Sequence, residues 1–433
     1  MQLLRIARRT FPPQGLSDLA WAFAALHVDD ANVFRVVARH SIANAEQFDL
    51  DKLSLFVWAT AARGATDPEW FYGIIENIKQ RLGSLDVHTR SEASLATLAQ
   101  RITMMIWALN FAGIHDDALF VMASSTLRGI GQALDKRQVT PASTAVLLCK
   151  RPSLRPGGLT EPCVLIDLED RLVVQKPPGW QVNDDGVSFS IANQLPMYVQ
   201  ALCSSRLCPI FCDVEHDLGF LHRLDVPSSG LILAAKTYEA YYDLQVQLNT
   251  GELARDYIVL GHGWVSPDVH EIRAHVYWRA EDELPTSAGE QGKPSCTNLK
   301  VMAHFSYNGD ALSMAIVRIA TGRRHQIRSH FSHVGHPTVR DGRYTVASTF
   351  ESDLKLCARN ILHRYRVAFH DVCGVHREAT HPVPMDILRT LQRLIAKDRA
   401  SAVVVQLWLS CHDLRDWKEC DPLRGYGNRA STN

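Results

Sequence analysis

Two polar segments in the second half of the chain combine residue types that could carry out catalysis. The first, residues 222–230, reads His-Arg-Leu-Asp-Val-Pro-Ser-Ser-Gly and leads into an apolar strand predicted at Leu231–Ala235. Its Asp225 is a carboxylate beside Arg223, on a loop that this strand anchors. A fixed, ionised carboxylate can act as a nucleophile or stabilise a developing positive charge. Taken alone, an aspartate near an arginine is more often a surface ion pair, so the rest of the sequence has to decide.

The second segment, residues 321–330, reads Thr-Gly-Arg-Arg-His-Gln-Ile-Arg-Ser-His. It predicts a strand that turns at Gly322 into a helix over His325–Val334, whose apolar stripe is Ile327, Phe331 and Val334. Residues 315–344 contain six arginines and one acid. This local excess of positive charge indicates a binding site for anionic groups.

The elements around these segments predict an α+β domain. Short β-type runs separated by turns are expected at Cys163–Ile166, Leu172–Gln175, Leu231–Ala235, Tyr257–Val265 and Ser313–Ala320. Helices are expected at Phe189–Cys203, Tyr238–Leu248, His325–Val334 and Pro384–Lys397. The strands come from separate parts of the chain, which favours a mixed, mainly antiparallel sheet.

The first 140 residues have a different pattern, without strand-like alternation. Trp-Ala pairs recur in apolar helical segments at Trp21, Trp58 and Trp107, spaced 37 and 49 residues apart, which is typical of stacked helix pairs. Second helices are expected at Ala31–His40 and Glu69–Arg81. The sequence thus predicts an all-α helical-repeat (solenoid) region at 1–140, a Pro- and Gly-rich linker at 141–162, a catalytic domain at 163–400 and a C-terminal extension at 401–433.

Composition limits the class of protein. The 433 residues include 46 Lys+Arg and 46 Asp+Glu, 46% are hydrophobic, and no apolar run approaches the length of a membrane helix. Ten cysteines are too few for a disulfide scaffold, so we expect a reducing, intracellular compartment and no membrane partner. The arginines Arg5, Arg8 and Arg9 leave open an organelle, chloroplast or mitochondrion, as well as the cytoplasm.

Three motifs in order carry a resemblance to a known family. They are Lys176-Pro177-x-Gly179, then the His222–Asp225 segment followed by Ser229-Gly230, then Gly322-Arg323-x-His325-Gln326-Ile327-Arg328. Together they resemble the RluA/RsuA-type RNA pseudouridine synthases, closest to the RluA branch. The similarity spans about Val164–Phe369 and includes Tyr257, Gly335-His336-Pro337, Asp341, Tyr344 and Leu362-His363. The N-terminal region is similar to octotricopeptide and FAST-like helical repeats of organellar RNA-binding proteins.

The resemblance implies an isomerase that converts uridine to pseudouridine in structured RNA, either rRNA or tRNA, without cofactor or metal. Asp225 then takes the place of the catalytic aspartate, Arg328 that of its basic partner and Tyr257 that of the tyrosine that stacks on the flipped-out base. The implied RNA-binding residues are His222, Arg223, Arg255, Arg323, Arg324, His325 and Gln326. The repeats would help to choose the RNA.

This sequence departs from the family pattern at four positions. Ser228 replaces a usual threonine, Arg255 a common lysine and Pro178 a frequent small residue. Arg340 stands where glycine generally precedes the aspartate at 341, so the loop geometry there is the least certain.

Other interpretations remain open at this point. The chain could be a catalytically idle RNA-binding or ribosome-assembly protein that retains the fold, and its repeats could dock a protein instead of RNA. A zinc site formed by Cys203, Cys208, Cys212 and His216 has a spacing that fits no common zinc motif, so free thiols are favoured. The histidines at 325, 330, 333 and 336 lie among arginines that repel a metal ion.

Overall fold

A computed structural model describes residues 13–25, 39, 42–63, 68–138, 161–182, 193–203, 208–278, 285–410 and 416–423. The predicted helix at Ala31–His40 apart from residue 39, nearly all of the predicted linker, and the arginines at 5, 8 and 9 lie outside these residues. In the part of the chain that is described, no helix is both long and apolar enough to cross a membrane.

The helices, numbered in chain order, are α1 Pro13–Ala25, α2 Leu50–Ala62, α3 Pro68–Gly83, α4 Glu92–Phe111, α5 Asp117–Gln138, α6 Leu195–Leu202, α7 Tyr238–Thr250, α8 Gln326–His333, α9 Ala347–Leu356, α10 Met385–Gln392 and α11 Arg399–Leu409. The strands are β1 Cys163–Asp167, β2 Arg171–Lys176, β3 Ser229–Ala235, β4 Ala254–His262, β5 Glu271–Arg273, β6 His275–Tyr277, β7 Ser287–Gly289, β8 Cys296–Tyr307, β9 Asp310–Ile319, β10 Leu362–His370, β11 His376–Thr380 and β12 Ile395–Ala396.

These elements form two compact units. The helical unit comprises residues 1–146 together with 235–252, and the sheet unit comprises 147–234 together with 253–433. The sequence placed residues 235–252 in the 163–400 segment, but α7 groups with the N-terminal helices instead. Sequence patterning shows that α7 is amphipathic, but not which helices cover its apolar face.

Five helices precede the first described strand, which confirms a helical N-terminal region. The three Trp-Ala helices α1, α2 and α4 pack through small residues such as Ala20, Ala59 and Ala108, all fully buried. Polar caps start two of them. Asp49 accepts a hydrogen bond from the Lys52 amide at 2.8 Å, and Ser91 accepts one from the Ser94 amide at 3.3 Å.

Helix α7 belongs to the helical unit through specific contacts with α5. The carboxylate of Asp135 accepts hydrogen bonds from the amides of Tyr238 and Glu239 at 2.9 and 3.0 Å, which satisfies the free N-terminus of α7. Gly131 makes the approach possible, because a Cβ there would lie 2.4 Å from the Glu239 Cα. The helical unit is therefore completed by a helix from the middle of the chain.

The sheet unit contains a mixed, mainly antiparallel sheet, as predicted. In the described residues, ten strands form one sheet with the path β1-β2-β3-β10-β4-β9-β8-β12, with β11 beside β10 and β5 beside β8. The pairs β10–β4, β4–β9 and β9–β8 are antiparallel, and β3 runs parallel to β10. Strands β6 and β7 form a separate hairpin. Helices α10 and α11 cover an apolar core on one side, which includes Leu260, Phe305, Ile316, Tyr365 and Leu388.

Candidate active site

A loop that leads into the buried strand β3 places Asp225. It follows Leu224 and ends at β3, and the Ser228 amide donates a hydrogen bond to the Asp225 carbonyl at 3.0 Å, which closes a tight turn. The next carbonyl, that of Val226, accepts from the Gly179 amide at 2.7 Å and from Lys176 Nζ at 3.3 Å. The Lys-Pro-Pro-Gly turn after β2 thus fixes the backbone beside the carboxylate.

Lys176 is a fully buried cation without an ion pair to any described residue. Its Nζ also donates to the carbonyls of Trp180 at 2.8 Å and Pro177 at 3.1 Å. Burial lowers the pKa of this amine to about 7, although the charge of Asp225 opposes that shift. Lys176 therefore organises the loop, and it does not line the cavity that contains Asp225.

Asp225 ends a chain of charged hydrogen bonds. Arg328 on α8 donates from Nη1 to Asp225 at 2.7 Å, and from Nε and Nη2 to both oxygens of Asp341 at 2.7 Å. Asp341 is fully buried and also accepts from the Thr338 hydroxyl at 2.9 Å and the Arg343 amide at 3.2 Å. Such two-point bonding fixes the guanidinium plane, so Arg328 can present only one edge to Asp225.

The protonation of Asp225 follows from these neighbours. Burial opposes ionisation, but the charges of His325 and Arg328 and the hydrogen bond from Arg328 outweigh it and hold the pKa of the carboxyl below its usual value. Burial also lowers the pKa of His325 to about 4, so that the imidazole is neutral at pH 7. Arg328 is therefore the partner that keeps Asp225 charged at neutral pH.

His325 and Gln326, at the start of α8, differ in their hydrogen-bond partners. His325 adopts the left-handed conformation at φ 50°, and its Nδ1 lies 3.2 Å from the Tyr344 hydroxyl. Gln326 is buried, with its amide bonded to Thr321 Oγ1 at 2.7 Å and to the Cys296 carbonyl at 2.9 Å. The predicted RNA-binding role of Gln326 thus falls on a side chain whose polar groups already bind the protein.

Tyr257 on β4 lies in the same cavity. It is 3% exposed, and its hydroxyl accepts a hydrogen bond from Arg364 on β10, whose guanidinium carbon lies 4.9 Å from the ring centroid. Arg364 also donates to His222 Nδ1 at 2.7 Å. Burial, together with the charges of Arg364 and Arg255, lowers the pKa of His222 well below its usual value.

Four further arginines, Arg223, Arg255, Arg323 and Arg324, line the cavity. Arg255 donates to the Ile319 carbonyl at 3.2 Å and has no ion pair with any described residue. Burial lowers the pKa of both Arg255 and Arg323 to about 10. The guanidinium of Arg324 stacks over Trp278 at 4.3 Å from the ring centroid. The cavity is therefore strongly cationic.

All ten predicted site residues line this one cavity, which opens to solvent. The complete lining is His222, Arg223, Leu224, Asp225, Arg255, Tyr257, Ile319, Gly322, Arg323, Arg324, His325, Gln326, Ile327, Arg328, Leu362 and Arg364. The sequence does not single out Arg364, which directly follows the Leu362-His363 match at the start of β10. Sequence analysis named Asp341 and Lys176 within motifs but gave them no part in the site.

The unusual Arg340 occupies a backbone position that favours glycine. Its φ is 62°, its amide donates to Asp353 at 2.6 Å, and its guanidinium carbon lies 4.1 Å from the Phe350 ring centroid. At this position an arginine therefore adopts the left-handed backbone conformation that glycine adopts most easily.

The possible metal ligands have other contacts. Cys212 Sγ lies 2.9 Å from Gln200 Nε2, and His216 bonds to Asp213 at 2.7 Å. Among the described residues, no group of three or more His, Cys, Asp or Glu side chains could hold a metal ion.

Comparison with known proteins places this architecture in a family. Residues 170–333 match the family model described as RNA pseudouridylate synthase. Ribosomal large subunit pseudouridine synthase D of Salmonella typhimurium is 30% identical over 250 residues, which cover 54% of this chain and 70% of that protein. The Pseudomonas aeruginosa protein of that name is 30% identical over 256 residues, covering 55% and 73%.

A solved structure, human RNA pseudouridylate synthase domain containing 1, is 22% identical with a TM-score of 0.43, covering 59% of this chain and 97% of that one. The segment that matches the family model contains Asp225, Tyr257 and Arg328. The chain belongs to the RNA pseudouridine synthases, the isomerases that convert uridine to pseudouridine in RNA.

Proposed function

We propose that Asp225 is the catalytic carboxylate with which this chain isomerises uridine in RNA. The observation that carries the proposal is the 2.7 Å contact from Arg328, itself fixed by Asp341, to a carboxylate that lines a cationic cavity. Isomerisation requires uracil to leave the sugar through nitrogen, turn and rejoin through carbon. An ionised, aimed carboxylate suits the electron-deficient sugar carbon that this exchange creates.

Tyr257 and the arginines supply the other requirements of the reaction in this proposal. A uridine within stacked RNA must be extruded before its glycosidic bond can be reached, and aromatic rings support extruded bases. Tyr257 lines the same cavity as Asp225. Arg223, Arg255 and Arg323 then contact phosphates or fill the gap that the flipped nucleotide leaves.

The Asp225→Asn variant tests the assignment. It keeps the size of the side chain but removes the charge, so we expect product formation, measured as tritium release from RNA carrying 5-tritiated uridine, to fall by at least about a thousandfold. RNA binding should persist. Asp310→Asn, at the exposed first residue of β9, is the matched control and should retain wild-type activity. Isomerisation by Asp225→Asn near the wild-type rate contradicts the proposal.

The same assay separates an enzyme from an idle RNA-binding protein that keeps the fold. The idle alternative predicts no tritium release from wild-type protein with any RNA. The intact set of Asp225, Arg328 and Tyr257 in one cavity supports the enzyme.

For the substrate, we propose RNA of the large ribosomal subunit. The support is the name of the matched relatives, ribosomal large subunit pseudouridine synthases. Pseudouridine mapping of total RNA from cells with and without the protein provides the test. Sites lost from large-subunit rRNA support the proposal, whereas sites lost only from tRNA contradict it.

For the helical unit, we propose a role in choosing the RNA. A deletion of residues 1–150 is a poor test, because it also removes the helices that cover α7. Ultraviolet crosslinking of the full chain to its RNA, followed by mapping of the crosslinked peptides, avoids that difficulty. We expect crosslinks within residues 13–138 as well as around the cavity. Crosslinks confined to the sheet unit would favour docking of a protein on the helices.

A further inference from the structure

Arg364 contacts three parts of the site, although none of the three sequence motifs includes it. It is 1% exposed, and its guanidinium donates to the hydroxyl of Tyr257, to the carbonyls of Leu231 at 2.9 Å and Arg223 at 3.2 Å, and to His222 at 2.7 Å. No described carboxylate forms an ion pair with it. Burying a cation without a carboxylate partner costs free energy. The guanidinium of Arg364 is therefore held by its hydrogen bonds to the site residues and not by charge neutralisation.

Two irregularities of the sheet put Arg364 in this position. A bulge at Tyr365 shifts the pairing of β10 with β4, so that Arg364 is opposite Tyr257 while Arg366 is opposite Asp256. On the other side, Gly230 of β3 approaches β10 so closely that a Cβ would lie 2.2 Å from the Arg364 carbonyl. The site loop and β4 therefore meet at Arg364.

We propose that Arg364 is a positioning residue, which holds Tyr257 and the start of the His222–Asp225 loop in their reactive arrangement. This inference rests on the proposed function. The bond to the tyrosine hydroxyl and the stacking of the guanidinium on the ring fix both the tilt and the position of the ring.

The contact with His222 fixes the other part of the arrangement. Because Arg364 only donates, Nδ1 of His222 must accept, so the imidazole is neutral and carries its proton on Nε2. The next carbonyl, that of Arg223, is held by the same guanidinium. Asp225 lies two residues after Arg223, so Arg364 fixes the backbone that leads to the catalytic carboxylate.

The planar fork of arginine is needed for this set of contacts. A guanidinium offers five donors in fixed directions, whereas the lysine ammonium offers three on a flexible stem. Arg364→Lys keeps the charge but cannot bond to all four acceptors. Arg364→Met keeps much of the apolar stem and removes every donor.

The test combines these variants with Tyr257→Phe in single-turnover measurements at saturating enzyme. We expect the rate to fall about tenfold in Arg364→Lys and about a hundredfold in Arg364→Met, with RNA affinity within about twofold of wild type. In the Arg364→Met background, Tyr257→Phe should cause little further loss, because the hydroxyl has already lost its donor. Losses that multiply, or a loss of RNA affinity at unchanged rate, overturn the proposal.

The control is Arg366→Met, which changes the same residue type in the same strand on the opposite face. It should lower the free energy of unfolding but leave the single-turnover rate unchanged, which separates stability from positioning. An equal rate loss in Arg366→Met would assign the effect of Arg364 to general destabilisation. Should Arg364→Met fail to fold, the cycle with Tyr257→Phe is built on Arg364→Lys.

A second readout does not depend on activity. In protein labelled with 3-fluorotyrosine, the Tyr257 resonance, identified by its loss in Tyr257→Phe, should shift or broaden in Arg364→Lys as the ring is released. An unchanged resonance contradicts the positioning role. Wild-type protein that lacks isomerase activity would refute the proposed function but leave this resonance test valid.

Discussion

Arginines on the two faces of the central strands β4, β9 and β10 differ in whether they form ion pairs. On the face away from the cavity, Asp256 accepts from Arg318 at 2.6 and 2.7 Å and from Arg366 at 3.0 Å, and Arg366 also bonds to Glu378 at 2.8 Å. On the cavity face, Arg255 and Arg364 have no ion pair among the described residues. Neighbouring residues of the same strands therefore belong to two distinct charge arrangements.

The pKa values differ in the same sense. Burial opposes the charge of Arg318 and Arg366, but hydrogen bonds and charges from the surrounding carboxylates outweigh it and raise both pKa values. For Arg255, burial dominates and lowers the pKa to about 10. The comparison shows that carboxylates compensate the cations that maintain the sheet. Arg255, which faces the cavity without a carboxylate partner among the described residues, remains available for the phosphates of RNA.

The largest effect should come from breaking the paired face. Asp256→Ala leaves Arg318 and Arg366 without their central acceptor, and breaking a buried ion pair typically costs about 3–5 kcal/mol. We expect a loss of that size in the free energy of unfolding, measured with urea. Asp310→Ala, at the exposed first residue of β9, should change stability by less than about 0.5 kcal/mol. Wild-type stability in Asp256→Ala would show that the two faces are not different in kind.

Much of the cavity face could be predicted from the sequence. The resemblance implied Asp225, Tyr257 and Arg328 as the catalytic set, and the structure brings all three into one cavity. Charge also had to be considered locally, because the zero net charge of the chain conceals the arginine-rich stretch at 315–344. Residue type and order are enough where a site is formed by contiguous motifs.

The rest could not be predicted, for physical reasons. In a regular strand, residues 364 and 366 would share a face, and only the bulge at Tyr365 separates them. Sequence alternation does not reveal a bulge. Gln326 stands within a polar motif, but the buried groups of Thr321 and Cys296 need hydrogen-bond partners and turn its amide inward.

Lys176 extends the comparison of paired and unpaired cations, because its buried amine is bonded only to carbonyls. Its pKa in the folded protein, about 7, lies below the ordinary value of 10.5. Between these values the unfolded chain binds more protons, so stability should rise with pH, by at most about 1.4 kcal/mol per pH unit. Urea unfolding between about pH 7 and 9 should show this slope in wild type and a smaller one in Lys176→Met.

The control for Lys176 is Lys300. Its ammonium also donates to backbone carbonyls, two of them at 2.7 Å, but Lys300 is only partly buried. Lys300→Met should keep the wild-type slope. Parallel curves for wild type and Lys176→Met would mean that carbonyls stabilise a buried ammonium as effectively as carboxylates do.

The cavity face can be tested with Arg255→Met. Removing an unpaired buried cation should leave the free energy of unfolding unchanged or higher, because no carboxylate loses its partner. RNA affinity should fall by about tenfold, and the slope of log affinity against log salt should decrease by about one. Arg318→Met should do the reverse, with lower stability and unchanged affinity. Unaltered RNA binding by Arg255→Met would remove it from the phosphate contacts.

The smallest effect tests how far the paired face extends along the chain. Asp416, which is 30% exposed in its side chain, accepts from Arg318 at 3.0 Å and lies 3.2 Å from Arg366, next to Trp417. Because solvent screens this pair and Asp256 still holds both arginines, Asp416→Asn should lower stability by only about 1 kcal/mol. Hydrogen exchange at the Leu423 amide, bonded to the Val301 carbonyl at 2.8 Å, should speed up if Asp416 secures this segment on the sheet. Unchanged exchange would show that the segment is held on the sheet by the apolar contacts of Cys420 and by the hydrogen bonds from Lys300 to the carbonyls of Trp417 and Cys420. The ion pairs of the paired face would then matter only for the strands themselves.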